Sequence, residues 1–137
     1  MSGLVLKLAP RERILINGAV IENGDRRSRL SIVTPNANIL RLRDAIHPDE
    51  ATTPVRRVCY IAQLVLSGDA DPSEGARQLD TGIRQLAQAM RHTDWQLHLD
   101  GAAEALSGGN FYQALKALRA LLPLEEGLLE QDRARAS

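Results

Sequence analysis

The chain has few aromatic residues: Phe, Tyr and Trp make up 3% of its 137 residues. Proteins that hold single-stranded nucleic acid by stacking its bases need exposed aromatic rings, so that mode of binding is disfavoured here. The single cysteine, Cys59, excludes an internal disulfide and indicates a reducing compartment. The sequence has no apolar run long enough to cross a bilayer. We therefore expect a soluble, cytoplasmic protein without a membrane partner.

Motifs for catalysis and for metal or cofactor binding are also scarce. His92 and His98 are six residues apart, which does not place them on one helix face, and Cys59 has no second cysteine. No glycine-rich phosphate loop is present. The adjacent carboxylates Asp49 and Glu50 are typical of a solvated loop rather than of an acid–base pair. We expect no enzyme, and we assign no catalytic residue, metal site or cofactor.

The charge of the chain is unevenly distributed. Residues 1–57 carry ten Lys and Arg against six Asp and Glu, a formal charge of +4. Residues 58–137 carry seven against eleven, a formal charge of −4, so the whole chain is formally neutral. A basic N-terminal half is suited to an anionic partner. Chance scatter of charge over a solvated surface would give the same counts, so both interpretations stay open.

The spacing of apolar residues changes along the chain. In residues 4–43, short alternating runs separated by turn signals predict a small antiparallel β-sheet or sandwich. From Thr53-Pro54 onward the spacing is helical, and the predicted caps are Thr53, Asp71, Thr93 and Asn110. The fold class is α+β, with the sheet packed against a bundle of about four helices. Residues 1–50 would form a basic β-rich subdomain and residues 51–137 a helical subdomain with a frayed C-terminal tail.

Individual positions follow from the same geometry. In the last strand, period-two alternation places Leu40 and Leu42 on one face and Arg41 and Arg43 on the other, facing outward. On the first helix, Cys59 falls on the apolar stripe, so we expect it to be buried and inert.

Two dipeptides, Asn17-Gly18 and Asn23-Gly24, predict tight turns between strands. Three arginines follow the second one closely, and a hairpin tip rich in guanidinium groups is suited to hold phosphate. Two more arginines begin the first helix, where the helix dipole disfavours cations, which indicates an anionic partner or a salt bridge to Asp49 or Glu50. The candidate residues for contact with a nucleic-acid backbone are Lys7, Arg26, Arg27, Arg29, Arg41, Arg43, Arg56 and Arg57. For any one of them, a weak surface ion pair is the alternative.

Three blocks of the sequence resemble the FlbT family of flagellar biosynthesis regulators. They run from Asn17 to Arg27, from Pro48 to Arg57 and from Phe111 to Lys116. The resemblance covers nearly the whole chain and is weaker over residues 69–100. It implies a post-transcriptional repressor that acts at the 5′ untranslated region of flagellin mRNA and promotes its translational block and degradation. It also implies a balance with FlaF, a second small flagellar regulator.

A further similarity concerns the β-rich part. Residues 29–35 and 39–46 look like the final strands of the carbon storage regulators, which are dimeric β proteins that bind messenger leaders. In that comparison Arg43 takes the place of the basic residue near the end of the last strand. The similarity agrees with the basic charge of this half and leaves a homo-oligomer open.

Two functions from different classes follow. In the first, the basic β surface binds the phosphates of a single-stranded or looped flagellin leader. In the second, the chain is a protein–protein adaptor, or a chaperone-like regulator, that binds FlaF or flagellin in a groove between its helices without touching RNA. Apolar helical stripes are also what plain core packing requires. Direct phosphate binding weakens steeply as salt rises, which separates the two functions.

Overall fold

The structure, a computed structural model, describes residues 4–136. In this range the strands are β1 (Leu4–Leu8), β2 (Arg13–Ile16), β3 (Ala19–Glu22), β4 (Ser28–Ile32) and β5 (Ile39–Arg41). The helices that follow are α1 (Pro54–Ser67), α2 (Pro72–Ala89), α3 (Thr93–Ser107), α4 (Phe111–Arg119) and α5 (Leu122–Ala136). Two short 3-10 turns, Leu42–Asp44 and Pro48–Glu50, connect the two parts. The predicted α+β class is confirmed.

The strands form two small antiparallel sheets. β1 pairs with β4 in one of them, and β2 lies between β3 and β5 in the other. Both sheets contribute inward side chains to one buried apolar cluster, which contains Leu6, Leu8, Ile14, Ala37 and Ile39. Because alternate residues of a strand point to opposite faces, the apolar alternation of β1 is sufficient to build this small sandwich.

Strand β5 is shared between the β-rich part and the helical part. Ile39 belongs to the cluster between the sheets, whereas its neighbour Leu40 belongs to the cluster formed by the helices. Tyr112, at the start of α4, packs against both clusters. A strand covered on both faces buries successive residues, and in this way β5 joins the two parts of the chain.

Asn17 and Gly18 form the predicted hairpin turn between β2 and β3. Both have positive φ angles, 48° and 85°, and a two-residue turn of this kind matches the twist of antiparallel strands. The Asn17 side chain also accepts a hydrogen bond from the backbone N–H of Asn38 (2.9 Å). This bond ties the turn to the segment that precedes β5.

Asn23 and Gly24 do not form a hairpin turn, so that prediction is wrong. The flanking strands β3 and β4 belong to different sheets. The Asn23 amide instead holds the connection between them: it donates to the carbonyls of Ala9 (2.7 Å) and Arg26 (2.9 Å) and accepts from the Ser28 hydroxyl (2.7 Å). An Asn side chain can replace backbone hydrogen bonds in a loop as readily as it can form a turn.

The helix boundaries follow the predicted caps with one exception. Side chains of Thr53, Asp71 and Asn110 accept hydrogen bonds from backbone N–H groups at 3.3, 3.0 and 2.9 Å. The prediction that Thr93 caps α3 is wrong, since Thr93 is already the first helical residue and His92 precedes the helix without a side-chain cap bond. A cap needs extended backbone, and here that conformation lies one residue earlier.

The helical part contains a longer C-terminal helix than expected. The sequence predicts a frayed C-terminal tail, but α5 runs from Leu122 to Ala136. Pro123 lies in its first turn, where a missing N–H leaves no hydrogen bond unmade. Residues 130–136 are exposed although helical, and Ser137 lies outside the described residues.

Helices α1 and α2 approach each other closely at two glycines of α2. A Cβ atom at Gly75 would clash with the Val65 side chain, and one at Gly82 would clash with the Val58 side chain. The two glycines are seven residues apart and therefore share one helix face. Any larger residue there would push the helices apart.

Cys59 is buried, as predicted. Its side chain lies in the helical core with 2% of the residue exposed. Burial disfavours the thiolate and raises the pKa of Cys59 to about 12. The thiol is therefore protonated at neutral pH, and its low reactivity stays a prediction.

None of the helices within residues 4–136 is both long enough and apolar enough to span a membrane.

Candidate nucleic-acid interface

A groove between the β-rich part and helix α4 is the strongest candidate site. It encloses about 860 Å³ and is bounded by β1, the start of β4, β5 and α4. The cationic residues that line it are Lys7, Arg27, Arg29, Arg41, Arg43, Lys116 and Arg119. We call this surface the basic groove. It brings together five of the eight residues that the sequence singled out for RNA.

The basic groove concentrates positive charge in a chain that is formally neutral. Asp44 also lines it, and Glu12 pairs with two of its arginines. With these two carboxylates counted against the seven cations, the groove carries a formal charge of +5. A concave surface of one sign focuses the electrostatic field and attracts ligands of the opposite sign.

Four cations of the basic groove make no ion pair or hydrogen bond through their charged groups to any residue between 4 and 136. They are Lys7, Arg27, Arg29 and Lys116, and all four are exposed. An ammonium or guanidinium group without a protein partner keeps its donors available for phosphate oxygens.

Lys7 and Arg29 are also direct partners across the β1–β4 pair. Like charges at opposed positions of an antiparallel pair destabilise the sheet. An anion bound between the two side chains would remove that repulsion. The pairing therefore points to an anionic ligand independently of the total charge of the groove.

Arg41 is held by Glu12 and does not face outward. Its Nε and Nη2 donate to the two carboxylate oxygens of Glu12 at 2.7 and 2.9 Å, and Nη2 also donates to the Lys7 carbonyl at 2.5 Å. The hydrogen bond between them raises the pKa of Arg41 and lowers the pKa of Glu12 to about 2. The side chains are only 12% and 5% exposed. The expected outward orientation is wrong because both faces of β5 are covered by neighbouring layers.

The last strand is shorter than expected, since β5 ends at Arg41 and its pairing with β2 ends there too. Leu42, predicted to be buried beside Leu40, is 38% exposed in the 3-10 turn. Arg43 lies in the same turn, with its Nε 3.6 Å from Glu12. Without a partner strand to extend along, the chain turns, so alternation no longer decides which side chains are buried.

Helix α4 supplies a wall of the basic groove that the sequence reasoning missed. Tyr112, Lys116 and Arg119 follow one another at helical spacing of four and three residues and therefore share a face. Arg119 donates to the Asp44 carbonyl at 2.9 Å and lies 3.4 Å from its carboxylate. This spacing was visible in the sequence. It was overlooked because it falls in residues 58–137, whose formal charge is negative.

The Tyr112 hydroxyl faces the same arginines. Within residues 4–136 it makes no hydrogen bond, although the ring is half-buried. Burial raises the pKa of Tyr112, with Arg41 and Arg43 acting in the opposite direction. The hydroxyl therefore keeps its proton and remains a free hydrogen-bond donor.

The other three candidate residues lie outside the basic groove. Arg26 is exposed but does not line it. Arg56 pairs with Glu126 of α5 at 3.6 Å, and Arg57 donates to the Thr52 carbonyl at 3.5 Å. The salt bridge to Asp49 or Glu50, one of the two alternatives for these arginines, is not formed within the described residues. Helix α5, which was not predicted as a full helix, supplies the partner for Arg56 instead.

A second groove lies among α1, α2, the start of α3 and α5, and encloses about 1490 Å³. We call it the helical groove. Its apolar lining includes Val58, Ile61, Leu86, Met90 and Leu128. Charges of both signs surround this lining, among them Arg57, Arg77, Arg91, Glu74 and Asp132.

Glu125 attaches α5 to the rest of the helical part. Its Oε1 accepts from the Thr53 hydroxyl at 2.5 Å, and its Oε2 accepts from the Val55 N–H at 2.9 Å. The residue is 7% exposed. Its charge lies at the N-terminus of α1, where the helix dipole favours an anion.

No cluster of three or more His, Cys, Asp or Glu that could hold a metal ion occurs in the described range, residues 4–136.

The sequence profile of the family described as "Flagellar protein FlbT" matches residues 4–129. A probable flagellum biosynthesis repressor protein FlbT from Caulobacter sp. (strain K31) is 30% identical over 123 residues, which cover 90% of this chain and 93% of the relative. A probable flagellum biosynthesis repressor protein FlbT 1 from Bradyrhizobium diazoefficiens is 34% identical over 128 residues, covering 93% and 86%. The flagellum biosynthesis repressor protein FlbT of Caulobacter vibrioides is 27% identical over 123 residues, covering 90% and 86%. No solved structure matches the chain.

Proposed function

Because this chain belongs to the FlbT family of flagellar proteins, we propose that it represses flagellin synthesis after transcription by binding the leader of flagellin mRNA. Its curated relatives are named as repressors of flagellum biosynthesis, which supports a regulatory role in the making of the flagellum. The proposal adds the target, the 5′ untranslated region, and the basic groove as the surface that binds it.

The observation that carries the proposal is the unpaired charge of the basic groove. Four exposed cations that have no protein partner among residues 4–136 line one concave surface whose formal charge is +5. Phosphate contacts supply most of the affinity of proteins for nucleic acid. With aromatics at 3% of the chain, contacts to bases would fall to arginine planes, backbone groups and polar side chains.

Repression by this route needs no catalytic residue. A protein bound over the ribosome-binding region excludes the ribosome, and a leader that is not translated is exposed to cellular nucleases. The arrangement of the basic groove suits that task, because binding requires charge and shape rather than a reacting group.

The test is a salt series with the purified chain and the flagellin leader RNA of its own bacterium. The four unpaired and three paired cations predict roughly four to seven phosphate contacts, which gives a slope of log Kd against log salt of about 3 to 5 for a single strand. Affinity that does not change with salt, or no binding at low salt, would contradict direct RNA recognition.

The helical groove favours a second candidate function, an adaptor that holds a partner helix. Its volume of about 1490 Å³ and its apolar lining are of the kind that amphipathic helices occupy. FlaF is the proposed partner, and flagellin is the second candidate. An adaptor would bind FlaF or flagellin equally well after Arg27 and Arg29 are both changed to Ala. If the chain instead acts by binding RNA, the same variant should lose RNA binding.

A further inference from the structure

We infer that helix α4 contacts the RNA from the side opposite the strands, so that the basic groove takes one strand of RNA and excludes a duplex. This inference rests on the proposed function and adds to it a class of ligand and a second set of contacts. The residues that carry it are Tyr112, Lys116 and Arg119.

Free charge lies on both sides of the groove. Lys7 belongs to β1, Arg29 to the start of β4 and Arg27 to the segment just before it, whereas Lys116 belongs to α4, and all four lack a protein partner within residues 4–136. Two elements distant in sequence thus bring unpaired cations to one concave surface. A backbone lying between them would be contacted from both sides.

The shape of the groove also favours a single strand. Proteins that recognise duplex RNA do so over a broad surface that reaches across the minor groove to phosphates on both strands. Proteins that hold a single strand use a positively charged groove that follows one backbone. A groove of about 860 Å³ with cations on both sides matches the second arrangement.

The Tyr112 hydroxyl is a further potential contact from α4. The ring is fixed because it packs against both apolar clusters, so it is not free to stack on a base. Tyr112 lines the groove, and its hydroxyl makes no hydrogen bond within the described residues. A rigid, protonated hydroxyl beside several cations is suited to donate to a phosphate or ribose oxygen of the bound strand.

Lys116 is the sharpest residue to test, because Arg119 is already held by Asp44. In Lys116→Ala we expect binding of the flagellin leader RNA to weaken about tenfold, with the salt slope reduced by about one. Lys116→Arg keeps the charge and should retain the affinity of the parent. Arg84→Ala is the matched control: it removes one charge from an exposed helical position outside both grooves and should change affinity by less than about twofold.

Two further measurements complete the design. Tyr112→Phe keeps the ring and removes the hydroxyl, and should weaken binding about threefold to tenfold. An unpaired leader segment of twelve nucleotides should bind at least tenfold more tightly than the same segment annealed to its complement. Circular dichroism and thermal melts confirm that each variant is folded.

The results separate the two proposals. If the parent binds the leader while Lys116→Ala matches Arg84→Ala, the contact by α4 is wrong and the proposed function stands. If duplex and single strand bind equally well, the assignment to one strand is wrong. If the parent does not bind the leader, the proposed function fails, and this inference fails with it.

Discussion

The basic groove and the helical groove belong to one chain but are built from different interactions. The basic groove keeps its shape through ion pairs that bridge distant segments, Glu12 with Arg41 and Asp44 with Arg119. The helical groove depends on close apolar packing of α1 with α2 and on the buried Glu125. In the first, much of the charge stays unpaired; in the second, the buried charge is fully hydrogen-bonded. The two grooves should therefore respond differently to substitution: changes to the unpaired cations of the basic groove should mainly alter the binding of an anion, whereas changes to the packing around the helical groove should mainly alter stability.

The largest effect on stability is expected when Glu125, which attaches α5 beside the helical groove, is replaced. Glu125→Ala leaves the Thr53 hydroxyl and the Val55 N–H without their acceptor, and an unsatisfied buried polar group costs about 1–3 kcal/mol. We expect the free energy of unfolding in urea to fall by about 3 kcal/mol. Glu130→Ala, on an exposed turn of the same helix, should change it by less than about 0.5 kcal/mol. Equal effects of both variants would show that Glu125 does not anchor α5.

A second test concerns the close approach of α1 and α2. Gly82→Ala places a methyl group against the Val58 side chain, and overpacking of this kind costs about 1–3 kcal/mol. Gly127→Ala is the matched control, because nothing lies near the added methyl group and a helical glycine gains about 0.5–1 kcal/mol on becoming alanine. Opposite signs in thermal or urea unfolding are expected. Stabilisation by both variants would contradict the tight contact.

The ion pair of the basic groove is tested by acid. The pKa of Glu12 in the folded chain is about 2, below its ordinary value of 4.5. A lowered folded pKa stabilises the protein above the unfolded pKa, and that contribution is lost as the pH falls from about 5 towards 2. Because the two side chains are only 12% and 5% exposed, water screens the pair less than it screens a surface ion pair, and we expect a contribution of about 1–2 kcal/mol.

In urea unfolding, the parent should therefore lose about 1–2 kcal/mol more than Glu12→Gln between pH 5 and pH 2.5. The glutamine variant, which cannot titrate at this position, serves as the control. Parallel pH profiles of the two proteins would show that the Glu12–Arg41 pair does not contribute to stability.

The smallest expected effect, a change in RNA affinity, distinguishes two neighbouring arginines. Arg27 lines the basic groove, whereas Arg26 is also exposed but does not line it. Arg27→Ala should weaken leader binding about tenfold, and Arg26→Ala by less than about threefold, with stability unchanged in both. Equal weakening by both variants would show that the two arginines bind RNA as parts of one broad basic surface, as the sequence alone suggested, and not through the basic groove. No effect of either would favour the adaptor function.

Much of the fold could be predicted from local patterns. Alternation, caps at Thr53, Asp71 and Asn110, and the change of period after residue 53 lead to strands followed by helices. The wrong predictions share one cause: each concerns a feature that depends on which distant segments of the chain contact one another. Asn23 has the residue type of a hairpin turn, but the strands on either side of it pair elsewhere.

The site was predicted in part for the same reason. Charge counts located the basic half and identified Lys7, Arg27 and Arg29 as candidates, and the fold brings these three residues together in the basic groove. They could not show that Arg41 is held by a carboxylate 29 positions away in the chain. Nor could they place Lys116 across the groove from Lys7 and Arg29, because that position depends on how the helical part packs onto the strands.

The rate at which Cys59 is labelled can report how often the helical core opens. A thiol reagent can attack it only after the core exposes it, since the native pKa of about 12 leaves almost no thiolate at neutral pH. The ratio of its labelling rate to that of a free thiol therefore measures the free energy of local opening. Because Cys59 is the only cysteine of the chain, the same measurement applies unaltered to every variant proposed above and to the protein with RNA bound.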